Sequence, residues 1–356
     1  MADLHQWLTQ HADTLDQTES LNDQLMPALA AHGCFRAGVP LALGGEPGTH
    51  NDVRDAILGI AEVARYSVTA AFVYWGQRSF IEYLLQSPNT ALRERLLPAL
   101  LDGSLAGATG LSNAMKFLSG MEPLSVHGTA DGDGWTLNGK LAWITNLLPQ
   151  RFVAAAAVAP ADGSTPLVAM FTSDDVGVQR SDNLALIALR GSNTAAVELT
   201  NVAAPTDYVI APQAPEWLAR VRPAFLGMQC GMSLGLAAAA LDKAAAVAAN
   251  GRGQLGDSIA NAQRQLADLT QQLLDGVADG RFVTAAPQIF KLRIALADLV
   301  QQAVTLELQA KGGHAYLTQE EDGFARRWRE SAFIPVITPS ITQLQAALAK
   351  HAAATQ

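Results

Sequence analysis

Three long segments in the C-terminal third carry a helical repeat of apolar residues, over positions 215–249, 257–279 and 285–311, and a shorter helix closes the chain. Helices of that length hide an apolar stripe only by packing on one another, so residues 210–356 are expected to form an antiparallel four-helix bundle. The alanine-rich run LGLAAAALDKAAAVAAN permits close helix approach, and any apolar face left open would favour oligomers. Helix propensity alone would explain the same alanines.

The rest divides into two regions. Residues 1–104 repeat apolar positions at helical spacing (Leu21, Leu25, Leu29; Ile57, Ile60, Ala61, Ala64), with Val39-Pro40 and Gly44-Gly45 punctuating a loop. In residues 105–209 alternation replaces that period. Short runs such as VAAAAVA, PLVAMFT and AAVELTNV, separated by Asp- and Gly-rich turns, predict a compact β-barrel-like domain. The expected fold is therefore α+β, multidomain and mainly α.

With 49% hydrophobic and 16% charged residues, the chain is globular and buries a large core. A formal charge of −9 and no basic stripe exclude nucleic acid as the main partner. Cys34 and Cys230 stand far apart and form no metal pattern, and the seven histidines show no i,i+4 pairing, so no metal site is expected. The amphipathic, acidic N-terminus lacks a signal core, which predicts no secretion and a cytoplasmic location. The apolar stretches read as broken by polar residues short of a membrane span.

The run GWTLNGKLAWITN carries the chemistry. Trp135, Leu137, Leu141 and Trp143 alternate with small or polar residues, and Asn138-Gly139 suits a tight turn, so the run predicts a β-hairpin. A strand ending in Trp143-Ile144-Thr145-Asn146 presents an indole and a hydroxyl together, which suits a flat apolar heterocycle with polar edges. Taken alone, the run also reads as an ordinary hairpin with core tryptophans.

A helical domain, a β-domain and a helical bundle in that order resemble the acyl-CoA dehydrogenase family of flavoproteins, over nearly the whole chain. The loop Val39-Pro40…Gly44-Gly45 looks like the family's entry loop. GLSNAMKFLSG (Gly110 to Gly120) sits where the family has its flavin loop, and GWTLNGKLAWITN matches the family's hairpin. LALRGSNTAAVELTNVAAP resembles the segment closing the β-domain. Arg252-Gly253-Gln254-Leu255-Gly256 with Gln263, and Gln309-Ala310-Lys311-Gly312-Gly313, resemble its Arg-x-x-Phe-Gly plus Gln and Gln-x-x-Gly-Gly patterns, with Leu255 replacing the usual phenylalanine.

The resemblance implies FAD, with FMN the less expected cofactor. Leu111, Ser112 and Ser119 would belong to the flavin loop, Ser112 on the pyrimidine edge. Trp143 would lie beside the ring and Thr145 near N5. Arg252, assisted by Gln263, would pair with the pyrophosphate, since a guanidinium matches phosphate oxygens. Gln309, Gly312 and Gly313 would serve a neighbouring subunit's dinucleotide, implying a homodimer or homotetramer. Ser340 and Thr342 would hold the adenosine end. The implied reaction is α,β-dehydrogenation of an acyl thioester, with an electron-acceptor flavoprotein as partner. Tyr74, Trp75, Arg78 and Phe225 would line the substrate pocket, two large aromatics shortening it and Arg78 holding an anion if it points inward. An amphipathic helix with aromatics in an interdomain core is the other reading of that stretch.

The pattern breaks at the base. Dehydrogenation needs a group to take the α-proton, a glutamate in most of the family. Here that position falls on Thr338, followed by Pro339, and the alternative position on the first bundle helix is Phe225. His314 and Glu330 are substitute candidates, each also readable as a surface helix residue. Other readings are a flavin-dependent monooxygenase on the same fold, supplied by a flavin reductase, a flavin-binding paralogue without dehydrogenase activity, or a helical scaffold holding no flavin.

Overall fold

The computed structural model describes residues 2–249, 251–317 and 322–354, the side chain of Ala354 excepted. Five helices come first: α1 (Ala2–Gln17), α2 (Asn22–Ala31), α3 (Val53–Ala64), α4 (Val68–Leu85) and α5 (Thr90–Leu101). Side-chain oxygens start three of them. Asp52 accepts from the Arg54 amide, Ser67 from Ala70 and Asn89 from Leu92, each satisfying an orphan donor of the first turn. Helix α4 is buried from Val68 to Leu84. A helix apolar on nearly all sides belongs at a domain centre, and α4 packs on β1, α3, α5 and α7.

Strands β1 (Ala106–Thr109), β2 (Val126–Asp131), β3 (Gly134–Ile144), β4 (Phe152–Pro160), β5 (Leu167–Thr172), β6 (Val178–Arg180), β7 (Ala195–Ala204) and β8 (Val209–Ala211) form one sheet in the order β6-β7-β3-β2-β4-β5-β8. Strand β4 carries β1 and β2 on successive halves of one edge, both parallel to it.

GWTLNGKLAWI is one strand, not a hairpin, and Thr145-Asn146 follow its end. The hairpin lies one step earlier, where β2 pairs antiparallel with β3 from Asp131↔Gly134 to Val126↔Gly139. The register against β7 shifts between Leu137 and Gly139 because β7 carries the extra residue, a bulge at Thr200-Asn201 where Asn201 takes φ +52° and its amide donates to Asn138 Oδ1. Neighbours on both sides hold the strand straight on, and a Cβ at position 139 would stand 2.3 Å from the Ser125 carbonyl oxygen. Glycine there serves close approach rather than a turn. The expected flavin loop also differs. Residues Ser112–Leu118 form a helix, α6, since the run Asn-Ala-Met-Lys-Phe-Leu contains no helix breaker.

Helices α7 (Ala214–Ala248), α8 (Gly256–Ala278), α9 (Arg281–Thr284), α10 (Ala286–Lys311), α11 (Phe324–Phe333) and α12 (Ile341–Ala354) complete the chain. Helix α10 packs on α7, α8 and α12. One sequence expectation fails in α7: it is long and apolar enough to cross a membrane, with a window of mean hydropathy 1.5. That window is 94% buried inside the protein, so the apolar surface serves the core.

Candidate functional site

A cavity of about 510 Å³ lies between the sheet, α4 and α11. Its sheet side presents Thr109, Ser112, Trp143, Thr145 and Thr194, and the stretch 185–189 borders it. Phe72 and Trp75 of α4, Arg329 and Phe333 of α11, and Val336 to Thr338 close the helical side. Trp143 is 65% exposed, an indole held at the cavity wall by the strand end. The Ser112 hydroxyl has no protein hydrogen-bond partner among the described residues. An unpartnered hydroxyl and an uncovered indole on one wall fit a planar ring with polar edges.

The strand end is fixed by groups that sequence reasoning missed. Thr145 Oγ1 donates to the Ser192 carbonyl at 3.1 Å, and the Asn146 amide to the same oxygen at 3.0 Å. Asn146, at φ +61°, donates through Nδ2 to Gln77 Oε1 and the Gly107 carbonyl, both at 2.9 Å. Gln77 Nε2 in turn donates to the Leu100 and Leu105 carbonyls. A fully buried glutamine inside an all-buried helix was the available signal, since such a group stays only if its bonds are made.

Of the four residues expected to line a pocket, Trp75 lines this cavity, and Phe225, Tyr74 and Arg78 do not. Phe225 stands behind Trp75, edge-on at 5.0 Å between ring centroids, and its carbonyl accepts from Trp75 Nε1 at 3.2 Å. Tyr74 leaves α4 on another side, where it meets Phe35 and where a Cβ at Gly59 would touch its hydroxyl. Arg78 is fully buried and donates to the Ala37 and Gly38 carbonyls and to Glu82. It pins the Val39-Pro40 loop and offers nothing to an anion. Phe72, stacked on Trp75 at 5.5 Å, and Phe333, edge-on to Phe72 at 4.7 Å, take the missing places in the wall.

Thr338 lines the cavity, and its carbonyl accepts from Gln229 Nε2 at 2.7 Å. Neither substitute base reaches the cavity wall. Glu330 is fully buried, accepts from the Val68 amide and from Arg326, and burial pushes its carboxyl up to about 7. His314 is exposed in the turn after α10. Among the described residues that line the cavity, Arg329 is the only one with an ionisable side chain.

A second group gathers elsewhere. Arg252 Nη1 donates to the Gln309 carbonyl and its guanidinium lies against Gly312, so the two motifs 57 positions apart share one surface with the exposed Gly313. Leu255 packs partly into the core and Gln263 is exposed two turns into α8. None of these residues lines the cavity. Leu111 is buried under the start of α6, and Ser119 caps its end through the Met115 carbonyl. Ser340 and Thr342 bond each other at 3.0 Å at the start of α12.

Residues 4–104 match the model of the acyl-CoA dehydrogenase N-terminal domain. A probable acyl-CoA dehydrogenase of Mycobacterium leprae is 26% identical over 94% of this chain and 88% of its own length. The chain is thus similar to acyl-CoA dehydrogenases, through its first domain and along nearly its whole length. The fold agrees across complete chains. A glutaryl-coenzyme A dehydrogenase solved with glutaryl-CoA superposes with a TM-score of 0.82 at 17% identity, covering 100% of this chain and 95% of that one. Butyryl-CoA dehydrogenase from Megasphaera elsdenii gives 0.81 at 18% identity, covering 98% and 94%.

Proposed function

We propose that this chain is an acyl-CoA dehydrogenase-like, flavin-dependent oxidoreductase that dehydrogenates an acyl thioester. The observation that carries the reading is a cavity in which an exposed indole and an unpartnered hydroxyl face an aromatic wall. The flavin supplies the hydride acceptor. Trp143 would cover one ring face, the unpartnered Ser112 hydroxyl would donate to the polar edge, where negative charge grows on reduction, and Thr145, whose proton goes to the Ser192 carbonyl, would offer a lone pair near N5. Phe72, Trp75 and Phe333 keep water from the acyl group. By resemblance Thr338 occupies the position of the base, and a threonine does not accept a proton near neutral pH, so the α-proton would pass to a base from outside this wall or to solvent.

FAD, rather than FMN, is supported by the surface that Arg252, Gln309, Gly312 and Gly313 share away from the cavity. A second copy of the chain would bring that surface to the dinucleotide, which makes the working unit a homodimer or larger. Electrons would pass on to an acceptor flavoprotein.

Anaerobic mixing of the purified yellow protein with a panel of acyl-CoAs tests the reading. Loss of the flavin band with at least one thioester is expected. No bleaching by any of them, with turnover appearing only when oxygen and a flavin reductase are supplied, would assign oxygenation instead.

A further inference from the structure

We propose that Arg329 anchors a terminal carboxylate on the acyl chain, so that the substrates are CoA monothioesters of dicarboxylic acids; this rests on the thioester reading above. The cavity offers one charged group among the described residues that line it, and it is a cation. Arg329 Nε donates to Asp16 Oδ2 at 2.8 Å and Nη2 stands 2.7 Å from the same oxygen, an ion pair that holds the guanidinium in place. Asp16 is fully buried, and its other oxygen accepts from the Leu189 amide at 3.0 Å. The acid is thus spent on the protein. The arginine side chain, 27% exposed, keeps Nη1 without an acceptor among the described residues. The cavity meets the cation and not its partner.

Placement gives this charge a role. Arg329 lies one helical turn before Phe333, about 6 Å along α11, and nine positions before Thr338, and all three line the cavity. An aliphatic tail ending there would strip water from a guanidinium and return no hydrogen bond, which is costly. A carboxylate would replace that water with charge-assisted bonds from a preset donor.

The test uses holoprotein under argon and pairs of thioesters with equal carbon number, hexanoyl-CoA against adipoyl-CoA and octanoyl-CoA against suberoyl-CoA, with flavin absorbance as the signal. The carboxylated member of at least one pair is expected to half-saturate at about tenfold lower concentration. Arg329→Gln should bring that ratio to about one, and Arg329→Lys should leave it intermediate. Equal half-saturation in the wild type, or a ratio that survives Arg329→Gln, overturns the anchor while the thioester reading stands. Failure of every thioester to perturb the flavin overturns both. Should Arg329→Gln not fold by thermal melting, the wild-type and Arg329→Lys ratios decide.

Discussion

At the scale of single residues, position 338 is a side-chain question rather than a backbone one. Gln229 holds the Thr338 carbonyl, and Arg293 Nη2 holds that of Ile334 at 2.6 Å, so the path of the segment does not depend on which side chain it carries. Thr338→Glu should therefore place a carboxylate in a wall that lacks one. Anaerobic flavin bleaching by an acyl-CoA is expected to accelerate by about 100-fold or more, the usual contribution of a general base. An unchanged rate would mean that this side chain does not reach the α-carbon. Glu330 makes a second residue-level prediction. Burial raises its carboxyl from 4.5 to about 7, so between those values the folded chain holds a proton that the unfolded chain has released. Stability from this group is complete below about 4.5 and declines as pH climbs through 7. Glu330→Gln removes that decline. In denaturant unfolding at pH 5 and pH 8 the variant should gain on the wild type at the higher pH; a gap independent of pH rejects the assignment.

At the scale of elements, the contact between α3 and α7 is set by glycines one turn apart. A Cβ at Gly235 would lie 2.0 Å from the Ala61 carbonyl oxygen, at Gly231 2.7 Å from that of Ile57, and at Gly227 2.9 Å from Ile57 Cδ1. Backbone cannot yield as a flexible side chain does. Gly235→Ala should cost about 1–3 kcal/mol by overpacking and lower the melting temperature by several degrees, whereas Gly253→Ala, with open space around it, should not lower it. Equal melting of the two variants would show that α3 moves aside freely. The sequence displays this i,i+4 spacing, yet the neighbouring alanines drew the reading toward generic close packing. Helix extents were legible to within a residue or two, 285–311 against Ala286–Lys311 for instance, because a 3.6-residue repeat is local. The course of Asn138-Gly139 was not. The same dipeptide serves a turn or a continuous strand, and the neighbours β2 and β7 decide which.

At the scale of the whole molecule, the cavity joins pieces that no local pattern relates. Resemblance singled out Trp143 and Ser112, and both line the cavity. The Asp16–Arg329 pair spans 313 positions, and the orientation of α4 that turns Trp75 in and Arg78 away depends on what packs around it. Such choices follow from tertiary packing, which is why the pocket residues were the least legible part. The same view separates two sets of polar groups: the cavity set, and the surface made by Arg252, Gln309 and Gly312. If a second copy carries that surface to the far half of the cofactor, the two ends of one FAD depend on different chains. The protein should then sediment as a dimer or tetramer with one FAD per chain. Arg252→Ala should weaken FAD binding about tenfold or more, the scale of a lost charge-assisted contact to phosphate, while FMN, which lacks the adenylate half, should lose far less. Equal losses for the two flavins would remove Arg252 from the pyrophosphate, and a flavin-loaded monomer would leave that surface without a dinucleotide to serve.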